Sequence, residues 1–217
     1  MSSSLADAMA APSRGALTTL LGALSNTKWT LSRTLQSTNK NEFNGQLLGT
    51  ASFSQLPAGP DQVQDWLYTE SGQFPSPSSM PPALAAMAHA TWSKKYIWRL
   101  SDAKLPLSAW FVKVGSGPDE ADYLFHNFEF NSEARIAIDS ENYDAPFPLL
   151  PAGIQSENTY VLQARGDHLC INDMYRTAYT FRFKRDTEEL ISWSSLHVVR
   201  GPAKRQEITN QYLPVRE

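Results

Sequence analysis

Arg33 and Glu70 are the two charges most in need of an explanation, because each sits in a run whose other residues of the same parity are large and apolar. Alternation over 28–37 puts Trp29, Leu31, Arg33 and Leu35 on one strand face, and over 63–70 it puts Trp66, Tyr68 and Glu70 together. An ion buried alone is strongly disfavoured, so each needs a partner. The two charges pair with each other, or Arg33 stacks on Trp29, or they hold a carboxylate or carbonyl of a bound molecule with Glu70 available as a base. Asp173 and Tyr175 lie two apart on another inward face and can approach one ligand. His126, on a further strand, supplies a group that ordinarily titrates near neutral pH. Glu70, Asp173 and His126 are therefore the candidate proton-transfer residues. The alternative for each is a purely structural one, as the partner of a neighbouring buried hydrogen bond or ion pair.

His168, Cys170 and Asp173 invite a metal or thiol reading, but extending the strand parity of 169–184 backwards places His168 and Cys170 on the side opposite Asp173. No other His or Cys stands at zinc-finger spacing, so no metal is assigned and no cofactor is expected. Haem is a minority alternative that would call on His89, His126 or His168. Gly115-Ser-Gly117 lacks the Lys-Ser/Thr of a phosphate loop, and there is no Gly-x-Ser-x-Gly elbow.

The elements that must position these groups are strands. Alternation recurs over 47–56 (Leu47, Gly49, Ala51, Phe53), 92–100 (Trp92, Tyr96, Trp98), 107–114 (Trp110, Val112, Val114) and 122–130 (Leu124, His126, Phe128, Phe130). It returns over 169–184 (Tyr175, Tyr179, Phe181, Phe183), 190–199 with Trp193, and 205–213 with Ile208 and Tyr212. Nine or ten such strands with short connections predict an all-β, antiparallel up-and-down sheet, closed to remove its edges; a two-sheet sandwich is the rival. Arg33, Tyr68, Trp98, Trp110, Phe128, Tyr175 and Tyr179 are the expected ligand-lining residues. Residues 71–90, with one or two helical turns over 83–90, and the Pro-rich link 131–158 suit a mouth and a lid. Ala16, Leu20, Leu21 and Leu24 predict a short amphipathic helix, so the chain divides into a tail and helix over 1–25 and a barrel over 26–217.

Several stretches together resemble a fungal and bacterial family catalogued only as domain of unknown function family 6314. They are Trp29-Thr-Leu-Ser-Arg33, Phe43-Asn-Gly45, Gly49-Thr-Ala-Ser-Phe53, Tyr68-Thr-Glu70-Ser-Gly72, Tyr96-Ile-Trp-Arg99, Trp110-Phe111, Asp122-Tyr-Leu-Phe-His126, His168-Leu-Cys170-Ile-Asn-Asp173-Met-Tyr175 and Arg200-Gly-Pro-Ala-Lys204. The resemblance runs over most of residues 24–215 and implies a lipocalin-like (calycin-type) barrel with no established activity. Where that family carries an acid and a Tyr after its Gly-Pro-x-Lys motif, this chain has Arg205 and Gln206.

Composition limits the function. With 41% hydrophobic and 19% charged residues, six Trp, eight Tyr and ten Phe in 217 residues, the chain has a large ring-rich core and is not a disordered or fibrous one. A net charge of -3 gives no basic footprint for nucleic acid or an anionic membrane. The single cysteine fits a reducing, cytoplasmic setting. Pro12, Arg14 and Gly15 break the apolar run a secretory signal needs, and a transit peptide has little support from one Arg in the first 24 residues. The leading reading is a barrel that binds a small, mostly apolar molecule with one polar end. The alternative is a cofactor-free cyclase or isomerase of fungal-type small-molecule metabolism, and a barrel filled by its own rings is the third. A homodimer stays open. A cavity of roughly 300 Å³ or more separates the first two from the third.

Overall fold

A computed structural model describes residues 11–39, 41–58, 63–76, 82–115, 117–130, 143–149, 151–154 and 157–215. Eleven strands form one antiparallel sheet: β1 (Trp29–Ser37), β2 (Gly45–Gln55), β3 (Gln64–Gln73), β4 (Thr91–Leu100), β5 (Leu107–Val112), β6 (Ala121–Asn127), β7 (Glu129–Phe130), β8 (Thr159–Cys170), β9 (Asp173–Lys184), β10 (Leu190–Arg200) and β11 (Arg205–Pro214). Their order is β6-β5-β4-β3-β2-β1-β11-β10-β9-β8-β7. The two end strands of this sheet are consecutive in the chain, separated by Phe128 alone, so the sheet curls into a nearly closed barrel. At the seam His126 of β6 lies so close over Gly166 of β8 that a Cβ there would stand 2.3 Å from the imidazole Nδ1. Only glycine permits that approach.

Helix α1 (Arg14–Ser25) plugs one end. Ser13 caps it, accepting from the Ala16 N–H, and Leu17, Leu20, Leu21 and Leu24 are buried in the barrel core. Leu17 takes the place expected for Ala16, which is exposed. The Trp29 indole donates to the Leu24 carbonyl at 3.1 Å and ties the plug to β1. Above the leucines the middle of the barrel is a packed set of rings, with Phe53, Tyr68, Trp98, Phe181 and Trp193 in mutual edge and stacked contact. Trp193 and Tyr212, direct neighbours across β10 and β11, stack with centroids 3.5 Å apart. At the opposite end lie the β1–β2 link, the β3–β4 link with its 3-10 turn over Pro82–Met87, and the β8–β9 and β10–β11 turns.

Three local expectations are corrected. The run 169–184 is not one strand: β8 ends at Cys170, Ile171 (φ 58°) and Asn172 make a two-residue turn, and β9 begins at Asp173. Pairing of His168 with Tyr175 and of Cys170 with Asp173 therefore puts these residues on a common face, because a hairpin resets the parity that a single strand would carry through. In β5 it is Leu107, Ala109 and Phe111 that face inward. Trp110 packs on the outer surface under Arg99, whose guanidinium lies 5.0 Å from the indole centroid and pairs with Asp65 at 2.7 Å. Between Ala109 and Trp110 the pairing with β6 shifts register, which leaves Phe125 buried and Leu124 exposed.

The lid expected over 131–158 lies mostly outside the described residues. Its longest described part, 143–149, straps the outer face of β8, β9 and β10 rather than the mouth. Ala145 is sealed against Ala178 and Val198. Arg165 clamps the strap by donating to Asp144 (2.9 Å) and to the Ala145 carbonyl (2.5 Å) beneath the Phe147 ring. The Tyr143 hydroxyl donates to the Met174 carbonyl.

Candidate functional site

Between the ring layer and the open end lies a layer of polar side chains. Arg33 and Glu70 reach each other across the interior, the Arg33 Nη2 donating to both Glu70 oxygens at 2.8 Å. Tyr68 donates to Glu70 Oε2 at 2.6 Å, so the Tyr212 hydroxyl, 2.8 Å away, is left to donate to Tyr68. Arg33 Nε donates to Asn210 Oδ1 at 2.6 Å, and Asn210 Nδ2 donates to Ser195 Oγ at 2.9 Å. Ser195 lies 3.2 Å from His197 Nε2, and His197 Nδ1 lies 2.9 Å from the Thr177 hydroxyl. One network thus runs from β3 through β1, β11 and β10 to β9. Burial opposes the Arg33 charge, but Glu70 and the two phenols more than offset it, and the guanidinium is held protonated. Burial first, then His126, Arg33 and Lys94, drive the pKa of His197 well below the ordinary histidine value. The Ser195–His197 pair therefore has the distances of a nucleophile and its base without the electrostatics, since an imidazolium here would face two cations.

Two adjoining cavities meet at this layer. The inner chamber holds about 90 Å³ and is lined by Arg33, Tyr68, Glu70, Trp98, Tyr179 and His197, among others. The outer vestibule holds about 350 Å³ between Leu35, Phe43, Leu47, Phe74, Met87 and Trp92. Arg33 and Lys94 line both. The interior proper is thus nearly filled by its own side chains, and the room for a ligand lies at the mouth. Trp92 helps to keep that room: it lies flat over the paired Gly49 and Gly72, where a Cβ on Gly72 would stand 2.6 Å from the indole.

Lys94 is the functional residue most easily overlooked. It sits on β4 between Trp92 and Tyr96, directly across from Glu70 in register, yet Glu70 is turned to Arg33 and Tyr68. Among the described residues Lys94 makes no hydrogen bond or ion pair. Water still reaches it through the open mouth, although protein crowds it on most sides. That crowding and the Arg33 charge hold its ammonium below the ordinary lysine pKa, with Glu70 opposing. The alternation that singles out Arg33 also selects Lys94, His197 and Asn210, because each interrupts an inward apolar series.

The other residues picked from the sequence are only partly brought together. Tyr68, Trp98, Tyr175 and Tyr179 line the inner chamber with Arg33 and Glu70, while Phe128 is buried behind Trp98 and Tyr179. Trp110 is outside, as described. His126 is buried behind Tyr179, accepting from its hydroxyl at Nε2 (2.9 Å) while Nδ1 donates to the Asn127 carbonyl (3.1 Å). Burial pushes its pKa down to about 4, so it stays neutral where a near-neutral titration was expected, and neither nitrogen is free for iron. His168 lies among Phe111, Phe125 and Tyr175, and His89 is exposed at positive φ beside the 3-10 turn. Asp173 does not line either cavity. Its Oδ1 accepts from the N–H groups of Ala203 (3.0 Å) and Lys204 (3.1 Å), fastening the β10–β11 turn. Lys204 in turn donates to the Tyr175 hydroxyl at 2.8 Å. Asp173→Ala is accordingly expected to lower stability by about 2 kcal/mol through loss of two charge-assisted bonds, and to loosen the turn. Chemical denaturation gives the first, and amide exchange at Ala203 and Lys204 the second; unchanged exchange there would contradict this role.

A family model described as a family of unknown function (DUF6314) matches residues 26–214. The chain belongs to this family. The match spans every strand of the barrel, from the start of β1 to the end of β11, and so includes the whole polar layer and both cavities. No curated protein matches the chain. Among the described residues no helix is long and apolar enough to cross a membrane, and no group of three His, Cys, Asp or Glu side chains is placed to hold a metal ion.

Proposed function

We propose that this DUF6314 barrel binds a small, mostly apolar molecule whose body fills the vestibule and whose polar end meets Arg33 and Lys94. One observation carries the reading: Arg33 and Lys94 line both cavities where the apolar vestibule meets the inner chamber, and while Arg33 is paired with Glu70 and the vestibule's Glu42 accepts from the Ser37 hydroxyl, Lys94 has no hydrogen-bond or ion-pair partner among the described residues. An uncommitted ammonium at the inner end of an apolar pocket favours an acceptor-bearing end, a carboxylate above all. Proton-transfer catalysis has less support, because Glu70, Asp173 and His126 are each committed to partners and are not gathered around one cavity. A reducing, cytoplasmic setting fits the exposed lone Cys170.

Calorimetric titration with decanoate tests this. Decanoate is expected to bind, Leu47→Trp to abolish binding by filling the vestibule, and Lys94→Gln to weaken it by about tenfold through loss of one charged contact of roughly 1.4 kcal/mol. Decanoate binding that ignores both substitutions refutes the reading, and no decanoate binding refutes its anionic end.

A further inference from the structure

We infer that Lys94 is the attachment point for a carbonyl ligand: the site captures apolar aldehydes as a reversible imine on the Lys94 amine. This deepens the reading of the same vestibule as a ligand site and rests on it.

Three features converge on Lys94. It is the one cation lining either cavity that has no hydrogen-bond or ion-pair partner among the described residues, whereas Arg33 is committed to Glu70 and Asn210. No bond must break before its nitrogen reacts. It also stands at the inner end of the apolar vestibule, so an aldehyde whose chain lies against Phe43, Leu47, Phe74 and Trp92 brings its carbonyl to the amine. Finally, crowding and the adjacent Arg33, with Lys204 adding to them and Glu70 opposing, enlarge the neutral, nucleophilic fraction of the amine relative to an ordinary lysine. The neighbouring Lys95 provides a built-in contrast, because Asp119 holds its ammonium at 2.9 Å outside the barrel.

The chemistry balances without a further reactant. The neutral Nζ forms a bond to the carbonyl carbon, and the carbonyl π pair moves to oxygen, which takes up a proton. The resulting carbinolamine loses its oxygen as water, carrying the second amine hydrogen, and C=N replaces C=O. Nothing is oxidised or reduced. In bulk water the reverse reaction dominates; here the apolar contacts of the seated chain hold the carbonyl carbon beside the amine, so an imine that hydrolyses re-forms before the aldehyde leaves. When the imine is protonated, its positive charge replaces that of the ammonium opposite Glu70, so the charge balance of the layer is preserved.

The test uses decanal with cyanoborohydride at pH 7, followed by intact-mass and peptide analysis. Reduction freezes the adduct as a secondary amine that adds the mass of decanal less one oxygen. Label is expected on Lys94 at about tenfold the level of any other lysine or more, because the vestibule holds the aldehyde beside that amine. Lys94→Arg keeps the charge and removes the nucleophile, so it should lose the label at this position while its other lysines label as in the wild type. Label spread evenly over surface lysines, or none on a protein that binds decanoate, overturns the imine and leaves the vestibule reading standing. Label on Lys94 without decanoate binding upholds the imine and overturns the preference for an anionic end. Failure of both probes removes both.

Discussion

Arg33→Met is expected to destabilise the barrel by about 3–5 kcal/mol, because it strands the Glu70 carboxylate in a site from which water is excluded. Glu70 is 1% exposed and all of its described partners are Arg33 and Tyr68. The substitution also strips Asn210 Oδ1 of its donor and so loosens the chain of bonds to Ser195 and His197. The double variant Arg33→Met/Glu70→Gln should recover most of the loss, since a neutral amide needs no counter-ion and can still accept from Tyr68. Urea unfolding of the wild type, the two single variants and the double gives the coupling directly. A single-variant loss below about 1 kcal/mol would mean that Glu70 finds solvent or another cation, with Lys94 the obvious candidate across the strand pair.

Mild acidification should weaken the protein through its buried histidines. His126 has a pKa of about 4 in the folded barrel against 6.5 for a free side chain, and burial is the main cause. The unfolded chain therefore binds the proton first. The stabilising contribution of the neutral ring is complete above pH 6.5 and declines as pH falls from there to 4, where it is nearly gone. This one residue accounts for a loss of about 2 kcal/mol by pH 5 and about 3 kcal/mol by pH 4. His197, whose pKa burial, His126, Arg33 and Lys94 depress in the same direction, steepens the fall. The ring of His126 has Tyr179, the Asn127 carbonyl, His168 and Asp167 around it, and only Asp167 favours the charged form by its charge. Denaturant midpoints measured at intervals between pH 7.5 and 4.5 check the slope, and His126→Phe, which fills the same space with no proton to gain, should flatten it. A wild-type stability that is level from 7.5 to 5 would show that the histidines are hydrated or paired with acid in solution.

The sequence positions the strands well because each strand carries its own signal, a period of two in apolar side chains, and that period is local. Arg33, Glu70, Tyr68, Trp98 and Tyr179 were legible as inward residues for this reason, and so was the family resemblance that a model match over residues 26–214 supports. Errors arose wherever the period was interrupted without a mark in composition. Ile171-Asn172 is a hairpin turn with a β-branched residue at positive φ and no Gly or Pro, so the sequence reading runs the end of β8 into β9, leaves 159–168 without a strand and inverts the face of His168. The register shift beside Trp110 carries no sequence signal either. Lys94 and His197 were visible to the same rule that selected Arg33, but a lysine or histidine in an alternating run is normally the solvated partner, and only the closed sheet shows which face is inside.

The chain alone determined an all-β barrel, its helical plug, its inward-facing rings and the presence of charges on inward faces, since these follow from alternation and composition within each strand. Tertiary structure decided which charge meets which. Strands β1 and β3 are separated by β2 in the sheet, and only the curvature of the barrel brings Arg33 across to Glu70. That single contact satisfies both ions and leaves Lys94 at the mouth without a partner among the described residues, while the packed rings below it leave the room for a ligand in the vestibule.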